Sequence, residues 1–65
     1  MAKNPTRNEV LHTLRQLNRE KGRSVKREEL ARAMFAEPRS IGNRLCELRR
    51  NGLAECVGRM TWWAE

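Results

Sequence analysis

Polar and basic side chains recur at helical spacing in the segment from Pro38 to Asn51. These residues are Arg39, Ser40, Asn43, Arg44, Glu47 and Arg50. A planar arginine fork donates two parallel hydrogen bonds to a phosphate or to the edge of guanine, and an asparagine amide matches adenine. A glutamate can accept from the amino group of cytosine. Side chains of these types on one face of a helix would suit the groove of a nucleic acid.

The same segment carries an apolar face that would hold the polar one in place. Ile41, Leu45 and Leu48 are spaced by four and three residues and so share one side of a helix. At about 100° per residue, the opposite side centres on Asn43. We expect the helix to bury its apolar residues and to present its polar ones to a partner.

The composition favours a polyanionic partner. Fourteen Lys and Arg residues oppose eight Glu and no Asp, which gives a net charge of +6 and a pI of about 10.7. Eleven of the fourteen bases are Arg. Such an excess in a chain of 65 residues produces a positive field that attracts nucleic acid. Because this length allows only one small core, we expect a single domain over residues 1–65 and no deep catalytic cleft.

An amphipathic helix is predicted near the start of the chain. It begins near residue 5 if Asn4 caps it, or near residue 7 if Thr6 and Glu9 form a capping box. Its apolar stripe contains Val10, Leu11, Leu14 and Leu17. Gly22 ends the helix, since glycine readily adopts the left-handed conformation. Residues 1–4 are expected to form a flexible arm.

Two further helices are predicted after this one. The second runs from about Lys26 to Phe35. Residues 23–25 before it could form a short extended strand that pairs with a later hairpin. Its buried side contains Leu30, Ala31 and Met34. The third runs from about Pro38, a favoured first residue of a helix, to Asn51, and Gly52 is its expected stop.

A tight hairpin is predicted to follow the third helix. Its strands cover residues 53–57 and 60–64, and a glycine at the first position suits a two-residue turn at Gly58 and Arg59. The resulting register pairs Val57 with Met60, Cys56 with Thr61, Glu55 with Trp62 and Leu53 with Ala64.

The adjacent residues Trp62 and Trp63 must point to opposite faces of this hairpin. The predicted register groups Trp62 with Leu53 and Val57, so we expect Trp62 in the core. Trp63 would then lie on the outer side, against the first helix, a neighbouring subunit or solvent. An outer tryptophan is a candidate contact for a protein partner, and packing against the stem of an arginine is the alternative.

The order of elements is helix, short strand, helix, turn, helix and hairpin. This order resembles the winged helix-turn-helix DNA-binding family over nearly the whole chain, and looks most like its small bacterial or phage regulators. The residues that carry the resemblance are Val25, Glu29, Leu30, Ala31, Ile41, Leu45, Leu48, Asn51, Gly52, Leu53, Trp62 and Trp63. Winged domains that bind Z-form nucleic acid are similar in layout, but they have a tyrosine where Cys46 stands and prolines in the wing. The resemblance implies an α+β fold, mostly α, of three helices with a C-terminal β-hairpin wing.

The resemblance also implies roles for the polar residues. The third helix would enter the major groove of double-stranded DNA, and the hairpin 53–64 would act as the wing. The residues at the base edges would be Arg39, Ser40, Asn43 and Arg44. Glu47 would accept from cytosine or orient Arg44. The residues at the DNA backbone would be Arg50, Arg59 at the wing tip, which could also reach the minor groove, and Lys26 and Arg27 near the start of the second helix.

Catalysis, metal binding and cofactor binding find little support in the sequence. Asp is absent, His12 is the single histidine, and the glutamates are scattered. The chain has no glycine-rich phosphate loop and no CxxC pair. Cys46 and Cys56 are expected to be free thiols that behave as small, half-buried apolar residues. We therefore expect no enzyme, no cofactor and no metal.

The N-terminal residues lack an apolar stretch, and no apolar run is long enough to span a membrane. A cytoplasmic protein is the expectation. The main hypothesis is a DNA-binding transcriptional regulator, which could act as a homodimer. Two alternatives stay open: a protein–protein interaction module that uses the wing or Trp63, and an RNA-binding or non-specific nucleic-acid-binding protein.

Overall fold

A computed structural model describes residues 5–58 and 60–64 of the chain. Three helices and three short strands follow one another in the order α1, β1, α2, α3, β2, β3. Their bounds are Arg7–Lys21 for α1, Val25–Lys26 for β1, Arg27–Met34 for α2, Pro38–Arg50 for α3, Glu55–Val57 for β2 and Thr61–Trp63 for β3. The predicted arm at residues 1–4 lies outside the described residues, as does Arg59.

Helix α1 begins with the capping box that the sequence offers at Thr6. The hydroxyl of Thr6 accepts a hydrogen bond from the backbone N–H of Glu9 at 3.2 Å. The backbone N–H of Thr6 donates in return to Oε1 of Glu9 at 3.0 Å, so the helix starts at the later of the two predicted positions. At the other end, Gly22 has a φ of 65° and closes the helix as predicted.

Helices α2 and α3 are joined by a short connection. Helix α2 is one residue shorter at each end than predicted, because Lys26 is its extended N-cap and Phe35 its left-handed C-cap, with a φ of 53°. Helix α3 begins at Pro38, as the sequence predicts, and ends at Arg50 with Asn51 as its C-cap.

The apolar stripes of the three helices meet in one core. The buried apolar residues are Val10, Leu14, Val25, Leu30, Ala31, Ile41, Leu45, Leu48, Ala54 and Ala64. Leu11, Leu17, Met34, Ala36 and Trp62 are partly buried and pack against this cluster. The helical stripes predicted from the sequence are therefore confirmed, and burial of three residues of α3 fixes which face of that helix points outward.

The three strands form an antiparallel sheet in the order β1, β3, β2. The short strand before α2 does pair with the hairpin, as expected, but it lies at Val25–Lys26 rather than over residues 23–25. Val25 pairs with Trp62, and Lys26 pairs with Thr61. The pairing anchors the wing to the start of α2.

The predicted register of the hairpin is wrong by one residue. Val57 pairs with Thr61, and the pairs that follow are Cys56 with Trp62 and Glu55 with Trp63. Three residues, 58–60, therefore connect the strands instead of two. Met60, at the end of this connection, has a φ of 55°, a left-handed conformation that is common at that position in three-residue hairpin loops. Both strands are also shorter than predicted.

One buried polar side chain joins α1 to the wing. Asn18 is 2% exposed, and its Nδ2 donates to the backbone oxygens of Arg23 at 3.0 Å and Trp62 at 3.1 Å. Its Oδ1 accepts from the backbone N–H of Ala64 at 2.9 Å. These three bonds satisfy the amide and hold the last strand against the C-terminal end of α1.

Candidate nucleic-acid interface

The outward face of α3 carries a row of exposed residues at helical spacing. They are Arg39, Asn43, Cys46 and Arg50, separated by four, three and four residues. Three of these four were predicted as DNA contacts, and Ser40 beside them is half-buried. Arg39 forms no ion pair with any residue in the described part of the chain. Its guanidinium is therefore available to an external anion or base.

Arg44 lies at the edge of this row and is held by the protein itself. Its Nη1 donates to Oε1 of Glu47 at 2.7 Å, and its Nε donates to the backbone oxygen of Pro5 at 3.3 Å. Of the two roles considered for Glu47, the geometry favours orienting Arg44. Both side chains are about two-fifths exposed, so the pair contributes at most about 1 kcal/mol to stability.

A groove of about 300 Å³ separates the N-terminal half of α3 from the hairpin. Its lining residues are Arg27, Arg39, Gly42, Asn43, Cys46, Cys56, Met60 and Trp62. It therefore brings together two of the predicted base contacts, one predicted backbone contact and the wing. A second depression, of about 390 Å³, is lined by Asn43, Arg44, Cys46, Glu47 and Arg50. Asn43 and Cys46 border both hollows and so form the ridge between them.

Arg27 reaches the groove because Gly42 leaves room for it. A Cβ placed on Gly42 would lie 3.1 Å from both Cδ and Nη1 of Arg27, closer than most Cβ contacts, so the arginine side chain would have to move by a few tenths of an ångström. Both residues of this contact lower the stability of the fold. A glycine inside a helix costs about 0.5–1 kcal/mol relative to alanine. The Nε of Arg27 is buried without a partner among the described residues, and an orphaned N–H costs about 1–3 kcal/mol.

The sequence prediction missed Gly42 as a member of the site. A signal was present, since Gly42 lies inside a predicted helix, where no turn requires a glycine. The other predicted backbone contacts are more dispersed. Lys26 is exposed at the start of α2 and does not line the groove, and Arg59 lies outside the described residues. Met60, the next residue after Arg59, is 64% exposed and reaches the groove.

The expectation that both cysteines are half-buried is wrong. Cys46 and Cys56 are free and exposed, and both line the groove. Cys46 belongs to the outward row of α3, and Cys56 lies on β2, an edge strand whose three residues are all exposed. Helical spacing from Asn43 to Cys46 could have identified the first of these, whereas the second depends on how the hairpin packs on the helices.

The two tryptophans occupy different environments. Trp62 packs against the core and forms part of the groove, as predicted for the inner of the two. Trp63 is half-buried and lines a separate depression of about 380 Å³ with Arg15 of α1 and with residues 52–55. Trp63 therefore lies on the side of the wing that faces α1, one of the positions considered for it, and packing on an arginine stem stays a prediction.

Other kinds of site find no counterpart in residues 5–58 and 60–64. This part of the chain contains no group of three or more His, Cys, Asp or Glu residues that could hold a metal ion. None of its helices combines the length and the apolar character that crossing a membrane requires.

Three helices, a three-stranded sheet and a basic outward helix beside a hairpin define a winged helix-turn-helix domain. The family model that describes the DNA-binding domain of the winged helix-turn-helix transcription repressor HrcA matches residues 3–59. The chain therefore belongs to this family, which confirms the predicted fold and the prediction of a DNA-binding transcription regulator. The family is one of DNA-binding domains of transcription repressors and is not a class of enzymes. No curated protein and no solved structure shows significant similarity to the chain.

Proposed function

We propose that this protein regulates transcription by inserting α3 into the major groove of double-stranded DNA, with the hairpin as its wing. The observation that carries the proposal is the exposed row on α3. It is basic at both ends, has an amide in the middle, and is backed by three fully buried apolar residues. A rigid helix that presents hydrogen-bonding groups in register is what direct readout of base edges requires.

The residues divide into two groups by the part of DNA they would meet. Arg39 and Asn43 lie in the N-terminal half of α3, which in this docking faces the bases, and Ser40 lies beside them. Arg44, oriented by Glu47, would reach bases at the edge of the same face. The backbone contacts would be Lys26, Arg27, Arg50 and Arg59. Contacts of the first group would give sequence discrimination, and contacts of the second would give affinity.

The backbone group makes binding strongly dependent on salt. We expect roughly four to eight phosphates to be neutralised, with a slope of log K against log salt of about −0.9 for each. The test is a titration of a random-sequence duplex at low and at moderate salt. If the protein does not bind duplex DNA at low salt, the proposal fails.

Base readout requires a second comparison. Exchanging both Arg39 and Asn43 for alanine should lower the preference for a selected site over random duplex. Arg50→Ala is the matched control, because it should weaken binding to both duplexes equally. Selection of bound sites from a random pool would supply the preferred sequence and would show whether it is palindromic. Equal losses for both variants on all sequences would exclude readout by this face.

A second candidate function is contact with another protein, and the environment of Trp63 favours it. This side chain lies on the face of the hairpin opposite Trp62, away from the α3 groove, and borders an open depression beside Leu53, which is 40% exposed. A partner or a second copy of the chain could bind there while DNA occupies α3. Sedimentation of the wild type and of Trp63→Ala, with and without DNA, tests this: a partner role for a second copy requires an associated species that Trp63→Ala loses.

A further inference from the structure

We propose that Gly42 is a positioning residue. Because it has no side chain, the side chain of Arg27 can lie against α3 at this point, and the guanidinium of Arg27 is held in the groove between α3 and the hairpin, where it binds a DNA phosphate. The inference rests on the proposed DNA binding and adds to it a device that sets the position of one contact. Arg27 belongs to α2, and without its contact with Gly42 its long side chain would be free to sample many conformations in solvent.

Gly42 differs from the other described glycines in the reason for its presence. Gly22, Gly52 and Gly58 have φ values from 65° to 71°, which side chains rarely adopt, and a Cβ on them would meet nothing closer than 3.8 Å. Gly42 lies within α3, where any residue can adopt the backbone conformation. Its missing side chain provides space, and the atoms that occupy this space belong to Arg27.

Stability does not explain the contact between Arg27 and Gly42. A helical glycine and a buried, unpartnered Nε are both unfavourable, and an alanine at position 42 would remove the first of these costs. Two violations of local preference at one contact are typical of a functional site. The contact also holds the arginine in a groove that already contains residues proposed to meet DNA.

The charges around the groove select an anion as the ligand. Two guanidinium groups, those of Arg27 and Arg39, line it. Arg27 forms an ion pair with Glu28, whose Oε1 is 3.7 Å from Nη2 and whose side chain is 58% exposed, so this pair is weak. The groove runs between α3 and the hairpin, and in the proposed docking these two elements would lie on either side of a DNA backbone. A phosphate is the anion that DNA presents there.

The test is a double-mutant cycle of Gly42→Ala, Arg27→Ala and the double variant on random duplex DNA. Arg27→Ala should weaken binding about tenfold and lower the salt slope by about one, since one phosphate contact is lost. Gly42→Ala should reproduce both effects although it removes no charge. The double variant should bind like Arg27→Ala alone. Additive losses would overturn the proposal, because Gly42 would then act independently, for example by admitting DNA closely.

Two further measurements distinguish a failure of Gly42 to position Arg27 from a failure of folding or of DNA binding. The melting temperature of Gly42→Ala should equal or exceed that of the wild type, because alanine favours a helix and the displaced group is a flexible side chain. In the free wild-type protein, hydrogen exchange at Arg27 Nε, followed by NMR, should be slower than at Nε of the exposed Arg39. Equal exchange at both would show that Gly42 does not position Arg27, without any reference to DNA. Slow exchange at Arg27 in a wild-type protein that does not bind DNA would refute the proposed function and the phosphate contact, but not the positioning of Arg27 by Gly42.

Discussion

Asn18 and Ala64 are 46 residues apart, yet Oδ1 of the first accepts a hydrogen bond at 2.9 Å from the backbone N–H of the second. The same amide donates to the backbone of residues 23 and 62. Asn18 is the buried polar residue of the described core, and all of its bonds reach segments outside α1. The pairing with β1 and this amide therefore both hold the wing to the helical body.

Removal of the amide should destabilise the whole fold. Asn18→Ala leaves one buried N–H and two carbonyls with a lost partner, so we expect the free energy of unfolding to fall by about 2–4 kcal/mol. Urea unfolding followed by tryptophan fluorescence measures this loss. Asn8→Ala is the control, since Asn8 is exposed on the same helix and its change should stay within about 0.5 kcal/mol. Similar losses for the two variants would mean that the buried amide has no special role.

Relief of backbone strain at Phe35 should stabilise the protein. Phe35 has a φ of 53° and is 86% exposed, so it pays for a left-handed conformation without burying its ring. Phe35→Gly should raise the free energy of unfolding by about 0.5–1 kcal/mol, the strain relieved minus the extra entropy of glycine. Phe35→Ala keeps the strained conformation and should not produce this gain. A gain of the same size for alanine would assign the effect to loss of the exposed ring instead.

The helices and their buried faces could be predicted because their signals are local. Spacing in Ile41, Leu45 and Leu48 fixes one side of α3, and capping residues such as Thr6 and Gly22 fix helix ends. The outward row on α3 follows from the same periodicity. Most of the site residues on this helix were therefore placed correctly on an exposed or half-exposed face.

The remaining features depend on contacts between distant segments. The short strands of the hairpin fit a two-residue and a three-residue connection about equally well, and the wrong choice moves every residue to a new partner. The bond from Asn18 to Ala64 and the contact between Arg27 and Gly42 join residues that no local pattern relates. The exposure of Cys56 likewise depends on how β2 packs and not on its edge position alone, since Val25 on the other edge strand is fully buried.

Arg39 and Arg44 should separate affinity for DNA from stability of the fold. Arg44→Ala removes bonds to Glu47 and to the backbone of Pro5, so we expect a loss of stability of up to about 1 kcal/mol. Arg39→Ala removes no ion pair within the described residues and should leave the unfolding curve unchanged while it weakens DNA binding. Thermal melts and duplex titrations of both variants provide the comparison. A destabilised Arg39→Ala would show that this arginine has a structural partner.

The reactivity of the two thiols should report which surface of the protein is covered by DNA. Cys46 lies on the ridge of α3 that would enter the major groove, and Cys56 lies across the groove on the hairpin. In the free protein both are exposed, so single-thiol variants made by Cys56→Ser and Cys46→Ser should react readily with a maleimide. Excess duplex DNA should slow the reaction of Cys46 at least tenfold, because a helix face inside the major groove of the DNA is inaccessible to the reagent. Salt that releases the DNA should restore the rate. Cys46 that stays fully reactive in a complex shown to be saturated would mean that DNA is bound by a different surface.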